Sequence, residues 1–478
     1  MTEAAGNGVD EVQTALAALS IAGYANVEKL TYTGSAAFTG TGNAGDNTIT
    51  GGAGNDTLLG GAGADEFHGG AGIDTVSYAD GAAVTLNFAT GVFSGIANGD
   101  TFHDIEKFAG SSSGDTFIEN GDAHQLDGQA GIDMVSYETS TAGITFDLAT
   151  GVQTGIAAGD LLTSIDVIQA TRFADILVGD ANANIFMGGA GADAINGGAG
   201  ADGAWYLNSS AAVQINLLAG TVAGGDAAGD VLTGIENLAG TSFDDTLTGD
   251  ALANTLEGSF GNDTINGGDG ADTIYGGVAS ANAPLAGSNN AAQADKLYGG
   301  NGNDNMSTAA NDAGSTVFGE VGNDTIVVVN GVGDGGIGND RVSVTGAGIG
   351  YGGEGDDVLV GYDLYSLFGD AGTDTFDLVG EGQADGGSGG DIYKINTHYD
   401  DIARIRDTGA AGNNDYVYLN TVATLDDLYL ERRGDDLYLT SSSTDGDHSS
   451  GVQIVGWFTG GNTIELFVTA DGSTIPGI

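Results

Sequence analysis

Apolar side chains in this chain recur singly, two residues after an aspartate, between polar or glycine positions. From Gly51 to Ser77 the pattern is written three times in nine-residue steps: GGAGNDTLL, GGAGADEFH, GGAGIDTVS. Each step is a Gly-rich hexad closed by an acid (Asp56, Asp65, Asp74), with an apolar residue two places on (Leu58, Phe67, Val76). Short alternating runs bounded by Gly, Asp and Asn predict strands of three or four residues joined by turns. One such strand buries no core, but stacked turns share one, each adding about 4.8 Å along the axis. Two nonapeptides are expected to make one coil. Leu58, Phe67, Val76, Ile195, Ile265, Ile274, Val358, Phe376 and Tyr393 would then point inward as ladders. A helix is expected only over Val9–Ser20.

The nonapeptide returns from Gly128, Gly188, Gly197, Gly258, Gly267, Gly299, Gly335, Gly352, Gly369 and Gly386, with Gln129, Ser259 and Asp370 in place of the second glycine. A degenerate copy keeps only Gly322-Asn-Asp324-Thr-Ile. A longer unit overlies the first half: IDTVSY, IDMVSY and ADGAWY, each followed by an alternating strand ending at Gly91, Gly151 or Gly220 and then by a GD-led segment from Gly99, Gly159 or Gly229. Loop insertion is tolerated between stacked coils, so the long period is free to vary. From about Asp401 the repeats stop. Longer antiparallel strands are expected there, with Trp457 and Phe458 in the core of a cap that covers the last open edge. The expected domains are a lead-in over 1–40, repeats with interleaved long modules over 41–275, a second array over 276–400 and a cap with an export signal over 401–478.

Tandem G-G-x-G-x-D-x-U-x is a calcium-binding parallel β-helix signature. The chemistry agrees: glycines admit positive φ, turns expose carbonyl oxygens, and each hexad adds one carboxylate. Ca²⁺ accepts about six to eight oxygens flexibly, whereas Mg²⁺ demands a tighter octahedron. Ten Lys plus Arg against 66 Asp plus Glu give a net charge of −56. That charge excludes a nucleic-acid partner and would repel itself in a compact fold unless bound cations offset it. The chain has no cysteine, so disulfides and thiolate metal sites are excluded and metal is the expected source of rigidity. No apolar run is long enough for a membrane span, and residues 1–30 lack the cationic start of a secretory signal.

These residues resemble the RTX (repeats-in-toxin) family of secreted calcium-binding proteins over roughly Thr41 to Lys394. The resemblance implies an all-β fold, a parallel β-roll or β-helix solenoid stacked on several Ca²⁺ ions with a C-terminal β-rich cap. It also implies folding outside the cell and type I export through an uncleaved C-terminal signal, with the secretion machinery as a partner. Its ligand pattern falls on Asp56, Asp65, Asp74, Asp133, Asp193, Asp202, Asp263, Asp272, Asp304, Asp324, Asp340, Asp357, Asp374 and Asp391. Gly52, Gly54, Gly61, Gly63, Gly189, Gly191, Gly198 and Gly200 accompany them. Asp133, without an adjacent nonapeptide, is the weakest member of the set, and Asp324 is marginal.

Catalytic candidates are few. The five histidines (His68, His103, His124, His398, His448) form no HExxH. Gly110-Ser-Ser-Ser-Gly114 matches GxSxG and Gly40-Thr-Gly-Asn-Ala-Gly45 matches GxGxxG, but neither opens a helix. No enzyme is expected. The sequence reading favours a secreted surface or matrix protein, S-layer-like or adhesin-type, with self-association or cell-surface polysaccharide as partners. The alternatives are the calcium-folding and export portion of a longer exoprotein, and a β-helix enzyme or lectin acting on polysaccharide.

Overall fold

A computed structural model describes residues 8–79, 81–278, 293–310, 312–396, 401–409, 414–441, 451–459 and 464–476. The protein is all-β. Among the described residues the helical pieces are single 3-10 turns such as Gly95–Ala97 and Gly155–Ala157. Two compact units form, one from residues up to Tyr206 with Gly225–Ile235, the other from Leu207–Gly224 with Glu236 onward.

The first unit is built of strands mostly three residues long in parallel register. One ladder runs Glu11–Thr14, Lys29–Tyr32, Thr48–Thr50, Glu66–His68, Thr101–His103. A second runs Ala18–Ser20, Thr39–Thr41, Thr57–Leu59, Thr75–Ser77, Lys107–Ala109, Gln125–Asp127, Leu161–Thr163. The middle residue of each strand faces in, and Leu30, Ile49, Leu58, Phe67 and Val76 are wholly buried. The helix expected over Val9–Ser20 is instead the strands Glu11–Thr14 and Ala18–Ser20. Their backbone groups pair with the next coil, and that ladder outweighs the alanine-rich local preference. In the longer unit, Thr85–Asn87 folds back on Val92–Ser94 as an antiparallel hairpin through left-handed Gly91, and Phe146–Asp147 repeats this with Val152–Gln153 through Gly151.

In the second unit the strands lengthen to seven residues at Tyr365–Ala371. One inward row reads Ile265, Leu297, Val317, Gly333, Gly350, Leu367, Ala384 across paired strands. The facing row reads Ile274, Met306, Ile326, Val342, Leu359, Phe376, Tyr393. Leu359 is fully buried and Val358 is only partly so, so the expected inward position is one residue later. That is two places past Asp357, as the repeat itself requires. From Asp304 onward a coil carries one hexad, not two. The opposite corner is a plain turn with Asn330, Gly346, Asp363 or Gly380 at positive φ. Two nonapeptides per coil holds at residues 51–77, 188–205 and 258–275, where successive coils are joined through residues 18 apart.

Beyond the repeats, Leu428–Arg433, Asp436–Ser441 and Gly451–Ile454 pair antiparallel, and Gly451–Ile454 also extends the parallel ladder from Ile402–Ile405. The core of this end is Leu437, Leu439, Val452, Ile454 and Phe467. Trp457 and Phe458 were expected in it, but Phe458 is exposed under the Arg432 guanidinium, 4.1 Å from its ring centroid, and Trp457 is half-buried. Both sit in a 3-10 turn at the strand end, which takes them off the inward face.

Candidate metal centre

The hexad places its sixth residue at the start of a strand, where the carboxylate turns back over the preceding coil. One carboxylate oxygen then accepts the backbone N–H of the equivalent residue one coil earlier. Asp56 N–H donates to Asp74 Oδ1 at 2.7 Å, Asp115 to Asp133 at 2.7 Å, and Asp175 to Asp193 at 2.8 Å. In the second unit the chain of donors is unbroken on one side: Asn254 to Asp272, then Asp304, Asp324, Asp340, Asp357, Asp374, Asp391 and Asp415, all at 2.7–2.9 Å. Each residue thus fixes the rotamer of the next.

The other oxygen has no such partner. Oδ2 of Asp74, Asp133, Asp193, Asp263, Asp272, Asp304, Asp324, Asp340, Asp357, Asp374 and Asp391 is buried without a hydrogen bond. The first-position glycine shapes the space it faces. A methyl group on Gly335 would overlap both Asp340 Oδ2 and the Gly352 carbonyl oxygen of the next coil, and the same holds at Gly299, Gly319, Gly352 and Gly369. In the first unit, carbonyls of left-handed Asp104 (φ 54°) and Ser164 (φ 50°) meet Asp74 and Asp133 in the same way. A buried ionised oxygen with no donor costs several kcal/mol, so each needs a cation or a proton. Carboxylate and carbonyl oxygens in a pocket closed to a methyl fit a hard, flexible cation such as Ca²⁺.

Other turns satisfy both oxygens without metal. Asp115 Oδ2 accepts the Ser111 N–H at 2.6 Å, and its Oδ1 takes the Ser111 hydroxyl at 3.1 Å. Thr171 and Thr241 cap Asp175 and Asp245 likewise, and Gly52 N–H caps Asp56 at 2.5 Å. Asn47, Asn184 and Asn254 replace the acid with an amide whose oxygen takes the N–H four residues back. Stacks also close with tyrosine: Tyr78, Tyr137 and Tyr206 donate to Asp100, Asp160 and Asp230 at 2.9–3.0 Å.

Burial, aided by neighbouring carboxylates, pushes Asp193, Asp263 and Asp374 up to about 8, and Asp133 and Asp324 to about 7. Asp272, Asp340, Asp357 and Asp391 rise to about 6 for the same reasons. Low dielectric disfavours the charged form.

Of the residues named from sequence, Asp133 and Asp324 stand in line with the rest, while Asp56 lies in a self-capped turn. Asp65 and Asp202 are buried and accept from Asn47 and Asn184 N–H. Gly61, Gly63, Gly189, Gly198 and Gly200 have positive φ, and Gly52, Gly54 and Gly191 pack against the backbone of the preceding coil. Two features escaped the sequence reading. Asp295 accepts the Asp263 N–H from a turn with no hexad, and three fully buried carboxylates, Asp391, Asp407 and Asp415, converge with donor oxygens within 4.8 Å of one another. Burial and the adjacent carboxylates raise Asp407 to about 7. The GxSxG match is the Ser111–Asp115 cap and the GxGxxG match overlaps the Asn43–Asn47 cap, so both are structural turns.

A family model described as the RTX calcium-binding nonapeptide repeat matches residues 41–76, 165–204, 232–251, 248–278 and 291–312. Comparison with curated proteins gave no significant match. Among solved structures, the X-ray crystal structure of a hyperactive, Ca²⁺-dependent, β-helical antifreeze protein from an Antarctic bacterium is similar at 13% identity. That match covers 95% of this chain and 96% of that one with a TM-score of 0.23, so the fold described above rests on the ladders themselves.

Proposed function

The chain carries RTX calcium-binding nonapeptide repeats, and we propose that it is a secreted structural protein whose coils fold and lock together on Ca²⁺. The supporting observation is the row of buried, partnerless Oδ2 atoms beside glycine carbonyls of the next coil. Each ion would take the hexad aspartate and the first-position carbonyl across the gap. Glycines at positions two and four supply the turn that brings the coils close. Asp391, Asp407 and Asp415 would hold a final ion where the hexads end, with more carboxylates than any repeat site. Simple oxygen sites of this kind bind in the range of extracellular modules, which favours a role outside the cell after type I export. At a net charge of −56, bound calcium would also offset repulsion between copies, so a surface layer or matrix is the assembly we favour.

Sedimentation velocity during a calcium titration from chelator tests this reading. The coefficient is expected to rise as coils compact, then jump to large species that chelator disperses. A coefficient that never changes would remove calcium as the folding ligand. A rise that stops at a compact monomer would remove the assembly role and favour a carrier module.

A further inference from the structure

One cluster in the first unit uses nitrogen donors, unlike every oxygen site above. Strand Glu66–His68 buries Phe67 and turns Glu66 and His68 outward. Thr101–His103 lies beside it in parallel register at the end of its ladder, pairing His68 with His103. The two imidazoles stack with centroids 4.6 Å apart. Their Nε2 atoms lie 3.1 Å and 3.6 Å from Glu66 Oε1, and the donor atoms of all three residues fall within 4.8 Å of one another. Thr48, one coil earlier, donates its hydroxyl to Glu66 Oε2 at 3.5 Å, which leaves Oε1 to the histidines.

Zinc bonds to imidazole and carboxylate are about 2.0–2.1 Å, so the edge of a tetrahedral site is about 3.3–3.4 Å. The two nitrogen–oxygen separations, 3.1 Å and 3.6 Å, bracket that edge. The side chains of His68 and His103 are 37% and 50% exposed, so the three donors are open to solvent, and an ion held there would have room for a water in its shell. Among the described residues this is the only such grouping with histidine; the other is all-carboxylate.

We propose that Glu66, His68 and His103 form a site for a borderline divalent transition ion, Zn²⁺ foremost, separate from calcium. Imidazole selects such ions over Ca²⁺, which prefers oxygen. The ion joins two strands separated by a 35-residue excursion that contains the Thr85–Ser94 hairpin (Glu66 and Thr101 are register partners). It therefore pins the ladder's last strand, and stabilises the fold by mass action as it binds.

The test is calorimetric titration of the full calcium-loaded chain with ZnCl₂ in excess calcium, which occupies the carboxylate sites. One equivalent of zinc is expected to bind, and H103A is expected to weaken it by about 100-fold or more, at least as much as losing an outer-shell partner. His124→Ala, at an imidazole bonded to Glu119 outside the cluster, is expected to change nothing. Unchanged sedimentation of H103A in calcium confirms that the fold persists; H103Q replaces it if that variant does not fold. Identical zinc isotherms for the parent and the His103 variant would overturn the site and leave a surface His–Glu ion pair. Either result is independent of whether calcium folds the repeats.

Discussion

The two units solve one problem, a buried carboxylate every coil, in different ways. In the first unit the unpartnered oxygens of Asp74, Asp133 and Asp193 are interspersed with self-capped turns at Asp56, Asp115 and Asp175, and tyrosines close three carboxylates. In the second, Asp272 to Asp391 is one uninterrupted run in which each aspartate's N–H bonds the next and each keeps a buried oxygen without a hydrogen bond. A turn capped by serine, threonine or asparagine is satisfied before any ion arrives. A run without caps is satisfied only by cations or protons, and its like charges add. The units should therefore differ in how far they depend on metal.

The largest expected effect is of chelation. Hydrogen exchange without calcium should strip protection from the strands of Lys296–Ile395 while self-capped coils of the first unit keep part of theirs. Equal loss in both units would break the comparison. Protons should act in place of metal where pKa values are raised. An unfolded aspartate titrates at about 3.9, whereas burial pushes Asp263 and Asp374 up to about 8 in the coil. The folded state therefore binds more protons between these values. In chelator its stability is greatest below about pH 4 and is lost as pH rises through about 6 to 8. Circular dichroism of the chelated chain should show more strand at pH 5 than at pH 8. Calcium uptake near pH 7 should release protons, measurable by calorimetry in two buffers; none released would sink the assignment.

Single substitutions sharpen the contrast. Asp340→Asn, within the run, should lower stability in saturating calcium by about 3 kcal/mol or more, the loss expected when a buried charge loses its partner. Asp56→Asn should cost about 1 kcal/mol, because Asn47 and Asn254 already fill the same kind of self-capped corner. Urea unfolding compares the two, and equal losses would argue against distinct turn classes. Tyr137→Phe removes one hydrogen bond to the buried Asp160 carboxylate and should cost about 1–3 kcal/mol, the same in calcium and in chelator. The smallest effect is a gain. Asp370 holds φ 67° where most copies have glycine, and Asp370→Gly should stabilise the second unit by about 1 kcal/mol in thermal unfolding.

Much of this was legible because the hexad is a local code. Glycine spacing, the sixth-position acid and the inward residue two places later follow from backbone φ and strand alternation, which neighbouring residues fix among themselves. Leu58, Phe67 and Tyr393 are buried where the pattern puts them. What the pattern left open depends on contacts between coils. Asp56 and Asp74 sit in equivalent hexads, yet one is capped by its own turn and the other is not. Asp295 enters the row with no hexad because the coil beside it supplies the donor. The tyrosine–aspartate closures join residues 22 to 24 apart, and Asp391 meets Asp407 and Asp415 across two turns. Turn chemistry, strand period and the hard-oxygen donor set are readable from the chain, because each is set within nine residues. Which carboxylates keep an unpartnered oxygen, and where two histidines meet, follow only from the folded coils, because register between them places those donors.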